Sequence, residues 1–249
     1  MLNIVGSNII KLQKVASTNN YANKISCQTV VKEGSVFYAD FQTKGKGQNK
    51  NVWHSEKNKN ILCSIVLYPD FLNIEYFFVL NQVISLGIID FLIGYNVSDC
   101  RIKWPNDIYI NDKKICGILI ENTLLGDTIS KSIVGIGINI NQTDFPSDLP
   151  NPISLKNIIN KSIAIEDGLE TLAKCINLRY NQLIDGDFLN LNNDYINLLY
   201  KRNILSAFLK EGLEFKGTIQ GVDKSGELII KNGNGKTEQY QFNQVKYII

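Results

Sequence analysis

Histidine is nearly absent from this chain of 249 residues: His54 is the only one. A Ser-His-Asp or Cys-His mechanism would have to gather around that single ring. A zinc site asks for more than one histidine or for a cysteine cluster. The five cysteines, Cys27, Cys63, Cys100, Cys116 and Cys175, are odd in number, and no two stand in a C-x-x-C spacing. That pattern supports neither a disulfide framework nor a zinc ribbon. Cys63 and Cys116 lie in apolar stretches and read as small core residues.

Excess charge is also scarce. Twenty-six basic against 24 acidic side chains leave a net +2, too little for a broad nucleic-acid footprint. No uninterrupted apolar run reaches the roughly 18 residues of a membrane span. Met1-Leu2-Asn3-Ile4-Val5-Gly6 is not a basic segment followed by an apolar one, so no secretory signal is read there. These absences lead to an expectation of a cytoplasmic protein with no nucleic-acid and no membrane partner. No repeat of solenoid length is found. The chemistry that remains must come from lysines, carboxylates, amides and backbone groups.

What is present is ordinary globular material, 44% hydrophobic and 20% charged, enough for a real core. The pattern predicts an α+β fold, a mixed sheet with helices packed on one side. Strands are expected at residues 9–15, 61–68, 101–104, 107–110, 114–122 and 131–141, with a hairpin over 29–40 turning at Glu33-Gly34. Helices are expected from Ser17 to Lys24, over 71–94, 165–183 and 190–201. Residues 41–60 and 142–152 lack periodicity and read as long loops, the first a length usually associated with function or disorder. From about residue 205 short strands at 214–222, 227–231, 237–242 and 245–248 replace helical patterning, which predicts a small all-β unit over 204–249 after a main domain over 1–203.

Four segments carry candidate chemistry. Ser17-Thr18-Asn19 sits at a strand-to-helix junction, where it is either a helix cap or a polar clamp. In residues 42–53 glycines alternate with lysines, so backbone N–H groups and ammonium groups can meet an anion, or the loop is simply solvated. Lys103-Trp104-Pro105-Asn106-Asp107 precedes a strand that opens with Lys114 and contains Gly117. A lysine there holds an anion as a point charge or snorkels. In residues 134–141, Gly135, Gly137, Asn139 and Asn141 recur at period two. This is either a slot for a flat ligand or a place where neighbouring backbone packs closely.

In this order the segments resemble the catalytic core of biotin protein ligases, over nearly the whole chain. Ser17-Thr18-Asn19 matches the family's Ser-Thr-Asn element, residues 42–53 its glycine-rich biotin loop, and residues 103–107 its Lys-Trp-Pro-Asn-Asp block. Residues 135–139 match its Gly-x-Gly-x-Asn strand, and the tail resembles the family's SH3-like domain. The resemblance implies a class II synthetase-like core that uses Mg²⁺ with ATP to form biotinyl-5′-adenylate. The biotinyl group then passes to a lysine of a biotin carboxyl carrier domain of a biotin-dependent carboxylase.

By the same resemblance Lys114 is catalytic. Ser17, Thr18, Asn19, Gln42, Gly45, Lys46, Gly47, Gln48, Lys114, Gly117 and Gly135 hold biotin. Lys46, Trp53, Asn106, Asp107, Lys114 and Asn139 hold ATP or the adenylate, and residues 142–155 form the loop that covers it. The metal ligands are not assigned, and the chain is expected to be a monomer or a homodimer. Relatives that also repress transcription carry a DNA-binding domain ahead of the first core strand; residues 9–15 already match that strand, so a ligase without this function is expected. The loop departs from the family in Lys46, Gln48 and Lys50, where arginine, arginine and glycine are usual, which predicts weaker retention of the intermediate or a differently folded loop. Lipoate ligase is the neighbouring alternative, and a non-catalytic biotin-binding or sensor protein is the alternative of a different class.

Overall fold

The computed structural model describes residues 1–48 and 51–248. Among them the strands are β1 (Ile9–Leu12), β2 (Val36–Ala39), β3 (Ile61–Leu67), β4 (Cys100–Lys103), β5 (Asp107–Ile110), β6 (Lys113–Leu125) and β7 (Thr128–Ile138). They form one sheet in the order β1-β2-β3-β7-β6-β5-β4. Only β1 and β2 pair in parallel; the other neighbours run antiparallel. The helices are α1 (Thr18–Gln28), α2 (Phe77–Gly94), α3 (Leu155–Ile159), α4 (Ile165–Ile184) and α5 (Phe188–Asn197).

Alternation along the strands sorts the helices between the two faces. Val36 and Tyr38 of β2, Ile65 and Leu67 of β3, and Val134 and Ile136 of β7 join Leu80, Ile84, Leu172 and Ile176 of α2 and α4 in the main core. The intervening Phe37, Val66 and Ile133 pack with Ala22, Tyr21 and Ile25 of α1. The long helices therefore share one face, as expected, and α1 alone takes the other. Gly87 has its reason here: a Cβ at that point would lie 2.8 Å from Ile176 Cα, so its absence lets α2 and α4 approach closely. The helical segment Ile74–Gly94 has the length and mean hydropathy (1.9) of a membrane span, but 72% of it is buried in the protein; it is the core helix of this fold. Cys63 and Cys116 are buried free thiols, as read from their apolar surroundings.

Several expected elements shift. The hairpin over residues 29–40 does not form; only β2 is a strand there, and its partners are β1 and β3. The segment ahead of it does not pair with it: Gly34 keeps the positive φ (+75°) of a turn, but a Cβ on it would lie 2.0 Å from Ile4 O. The N-terminal segment occupies that space, with Gly6 N–H donating to Gly34 O at 2.9 Å. Likewise β7 ends at Ile138 rather than at residue 141. Asn139 still gives its N–H to Ile115 O of β6, but its carbonyl turns away to accept from Leu155 N–H. The helix expected from residue 71 begins at Phe77, after a single 3₁₀ turn over Ile74–Tyr76.

The tail forms a second, antiparallel sheet of β8 (Leu205–Lys210), β9 (Leu213–Val222), β10 (Leu228–Asn232), β11 (Thr237–Tyr240) and β12 (Lys246–Tyr247). Its order is β11-β10-β9-β8-β12, and β8 is the strand that sequence patterning missed. Its apolar residues Phe208, Ile219, Leu228 and Ile230 are continuous with the main core. Trp104 Nε1 donates to Gly226 O at 2.8 Å, and Phe242 packs on Trp104 and Phe78 with ring centroids 5.2 and 6.3 Å away. The second sheet is thus fastened to α2 and to the turn between β4 and β5.

Candidate active site

On the α1 face, β6 and β7 bring three glycines together. Gly117 of β6 stands opposite Gly137 of β7, and Gly135 lies two residues further along. The slot inferred from sequence exists, but the chain's own side chains fill it. A Cβ on Gly137 would lie 2.6 Å from Trp53 Cε2, one on Gly117 2.9 Å from Trp53 Cζ3, and one on Gly135 2.3 Å from Asn19 Oδ1. The flat ring on this floor is the Trp53 indole. Its Nε1 is buried with no hydrogen-bond partner among the described residues, a state that costs about 1–3 kcal/mol until an acceptor arrives.

At the Ser17-Thr18-Asn19 junction, Ser17 holds the N-cap position of α1 but makes no side-chain cap. Gln42 does that work from outside, its Oε1 accepting from Thr18 N–H at 2.7 Å and lying 3.2 Å from the Thr18 hydroxyl. Ser64, in the middle of β3, places its hydroxyl 2.8 Å from Thr18 Oγ1 and 2.6 Å from Asn19 Oδ1. Asn19 Nδ2 donates to Glu121 Oε2 at 2.8 Å, and the other oxygen of Glu121 pairs with Lys46 Nζ at 3.2 Å. One polar network therefore runs from α1 through β3 to β6 and the glycine loop. Ser17's hydroxyl is left without a partner among the described residues.

The glycine loop is folded on itself. Trp53 N–H donates to Gly45 O at 3.0 Å and Gly47 N–H to Asn51 O at 2.7 Å. Gly45 is required by this crossing, since a Cβ would lie 2.5 Å from Trp53 O. Lys46, Gly47 and Gln48 line a cavity of about 200 Å³ together with Ser17, Thr18, Asn19, Gln42 and the floor glycines. Gly45 itself does not; it faces a groove between the loop and Phe242. Lys50 falls outside the described residues.

A second cavity of about 530 Å³ adjoins the first and shares with it Trp53, Asp107 and Lys114. Lys114 Nζ pairs with Asp107 Oδ1 at 2.6 Å and lies 5.7 Å from the centre of the Trp53 ring. An ammonium–carboxylate pair thus marks the point where the two spaces meet. The larger cavity is walled by Lys103, Tyr109, Asn139 and the 142–155 loop through Phe145, Leu149 and Pro152. That loop is tied to the lysine's own backbone, with Lys114 N–H donating to Asn151 O at 2.8 Å and Ile153 N–H to Lys114 O at 3.0 Å. Asn139 pins the same loop, its Nδ2 donating to Ile153 O at 3.1 Å. Asn106 lines the smaller cavity rather than the larger, and its amide is spent on Ile118 O.

Two titratable groups at the larger cavity depart from their ordinary ranges. Burial pulls the Lys103 ammonium down, opposed by Asp107, and burial pushes the Tyr109 phenol up to about 12. Ser64, Glu121 and Tyr109 were not singled out from sequence, and Lys103 belonged to a singled-out segment without being given a role. A lone hydroxyl inside the apolar run 61–67 was the signal for Ser64. The others became visible only through cross-strand register. Chemically, the site offers a small polar chamber and a larger aromatic-walled chamber with a fixed cation at their junction. It can hold a two-part ligand joined at a negatively charged centre.

Comparison with known proteins agrees with this geometry. The model of the Biotin/lipoate A/B protein ligase family matches residues 10–139. The bifunctional ligase/repressor BirA of Bacillus subtilis is 29% identical over 95% of this chain and 73% of its own length. Biotin–protein ligase 2 of Arabidopsis thaliana is 31% identical over 79% of this chain and 61% of its own. Among solved structures, the biotin protein ligase from Aquifex aeolicus in complex with biotin and ATP superposes with a TM-score of 0.81 at 26% identity, covering 97% of this chain and all of that one.

Proposed function

The chain belongs to the biotin/lipoate A/B protein ligase family, and we propose that it is an ATP-dependent ligase that activates biotin and attaches it to a lysine of a carrier protein. The observation that carries this reading is the Lys114–Asp107 pair at the junction of the two cavities. Biotin occupies the smaller cavity with its carboxylate toward Lys114, and ATP occupies the larger with its α-phosphate toward the same group. A carboxylate oxygen attacks the α-phosphorus, the bond to the β-phosphate oxygen breaks, and pyrophosphate leaves. The carrier's lysine amine then attacks the acyl carbon of the mixed anhydride, AMP departs with the electron pair, and the amine loses a proton.

Lys114 is held where negative oxygens crowd in both steps, so its charge is worth most in the transition states. Asp107 keeps the ammonium in place before the ligand arrives. Gln42, Thr18, Asn19 and Ser17 line the smaller cavity with donors and acceptors, and Ser64 holds Thr18 and Asn19 from behind. A ureido ring has N–H and C=O groups to meet them, whereas a dithiolane has none and would leave them unpaired. This is why biotin is preferred over lipoate. Trp53 lies along both cavities, and the loop over residues 142–155 closes the larger one, keeping water from the anhydride.

Mg²⁺ would be held chiefly by the nucleotide's own phosphates. Among the described residues no group of three metal-binding side chains exists. A nucleotide-borne Mg²⁺ needs only one or two protein carboxylates, and Asp107 fits that requirement. The ion supplies neutralisation of phosphate charge. We place the boundary between the catalytic domain and the C-terminal unit at residues 203/204, and the compartment in the cytoplasm, where ATP and carrier are at hand.

The test is incubation of the pure protein with ATP, Mg²⁺ and a biotin carboxyl carrier domain, with biotin or lipoate in separate tubes, reading carrier mass. A gain with biotin alone is expected. A gain with lipoate alone moves the chain to the other branch of the family. Biotin binding with no gain in either tube makes it a binder and overturns the catalytic reading.

A further inference from the structure

We propose that Lys103 binds the β- and γ-phosphates of the nucleotide, and that Tyr247 of the C-terminal sheet is the positioning residue that holds it there. This rests on the larger cavity being the nucleotide site. Lys103 ends β4 and lines only the larger cavity. Its Nζ donates to Tyr109 Oη at 3.0 Å and lies 4.6 Å from the centre of the Tyr109 ring and 5.3 Å from that of Tyr247. Two ammonium groups therefore face this space. Lys114 has a carboxylate partner; among the described residues Lys103 has none.

A half-buried ammonium without a counter-ion is costly, and burial already draws its proton affinity down. A phosphate oxygen is the partner that relieves this cost, through a charge-assisted hydrogen bond. The aromatic rings supply what the missing carboxylate does not. Their faces attract the cation without neutralising it, so its charge stays available. Lys114 touches both cavities and Lys103 only one. If the α-phosphate meets Lys114, Lys103 stands on the leaving-group side, where negative charge accumulates as pyrophosphate departs.

Tyr247 is well placed to orient it. Its strand pairs with β8 at Phe208, and its ring packs on Phe208 and on Tyr200 at 5.4 and 5.9 Å. The ring is thereby fixed by its own sheet and by the chain leading out of α5. Its hydroxyl is buried and unpartnered, so the ring face is the part that acts on Lys103. Through this contact the C-terminal sheet reaches the nucleotide site, about which sequence patterning was silent.

The experiment is calorimetric titration of the full chain with ATP, AMP, inorganic pyrophosphate and biotin. Lys103→Ala is expected to weaken ATP and pyrophosphate about tenfold, the usual scale for losing a hydrogen bond to a charged group. AMP and biotin should change less than about twofold by the same reasoning. Lys103→Arg should recover most of the loss. Tyr247→Leu should weaken ATP in the same direction by a smaller factor, and the double variant should be no worse than Lys103→Ala alone, since one residue acts through the other. Unchanged ATP affinity in Lys103→Ala, an equal loss for AMP, or an additive double variant would overturn the assignment. A wild-type chain that binds biotin but neither ATP nor pyrophosphate overturns the nucleotide reading itself, which is a distinguishable result.

Discussion

The two cavities that meet at Lys114 are built by opposite means. The smaller is walled by short polar side chains already bonded to one another across α1, β3, β6 and the glycine loop. The larger is walled by rings and prolines, a loop pinned at Lys114 and Asn139, and a lysine seated between two tyrosines. The first is organised for one ligand shape. In the second, Lys103 donates to Tyr109 and has no carboxylate partner among the described residues, which suits the proposed ligand with its own negative charge. Pre-formed hydrogen bonding sets specificity in one, and unspent electrostatics sets attraction in the other.

Three substitutions sharpen or break this contrast. Lys114→Ala removes the group common to both sides, and adenylate formation should fall by about 10²–10³-fold, the typical loss for a donor at developing negative charge. Single-turnover pyrophosphate release measures it; biotin affinity should survive, and its disappearance would mean that the two cavities are not separable. Gln42→Ala attacks the smaller cavity alone. It frees the Thr18 N–H from its acceptor, and biotin KM should rise about tenfold, from the loss of a buried partner, while ATP KM stays put. Steady-state kinetics with each substrate varied in turn separates the two. The smallest effect is expected at Lys46, whose pair with Glu121 is exposed and therefore weak. Lys46→Arg adds a planar fork to a loop that now has a point charge. It should slow release of biotinyl-adenylate by about threefold, as one modest interaction allows, and a release rate equal to or faster than wild type would refute the idea that this loop retains the intermediate loosely.

The sequence also made the strength of the two regions unequal to the eye. Ser17, Thr18 and Asn19 stood out as three polar residues at a strand exit, open between a cap and a clamp, and Gln42 was assigned by family resemblance. The larger cavity was much less readable. Asn139, expected to contact the nucleotide, lines the larger cavity and also gives its Nδ2 to Ile153 O of the 142–155 loop. Asn106, expected to contact the nucleotide, lines the smaller cavity and gives its Nδ2 to Ile118 O of β6. Both are buried amides, and a buried amide in sequence does not say whether its partner is a ligand or a carbonyl of its own chain.

Periodicity by itself determined the α+β class, the two long helices on a shared face, the strands β3 to β7 and the sheet-rich tail. It also located the glycine floor, since glycines at alternate positions of an apolar strand mean that something large must come close. Only the tertiary structure decided what comes close: Trp53 against Gly117, 64 positions away in the chain, and Asn19 against Gly135, 116 positions away. It also decided that residues 29–34 do not form a hairpin arm, because the N-terminal segment lies against Gly34, and that the Lys103 ammonium lies 5.3 Å from the ring of a tyrosine of the second sheet. Local pattern reports which side of an element is buried, because burial follows the period of the element. Which residue fills the space opposite depends on contacts between distant segments, and no period records those.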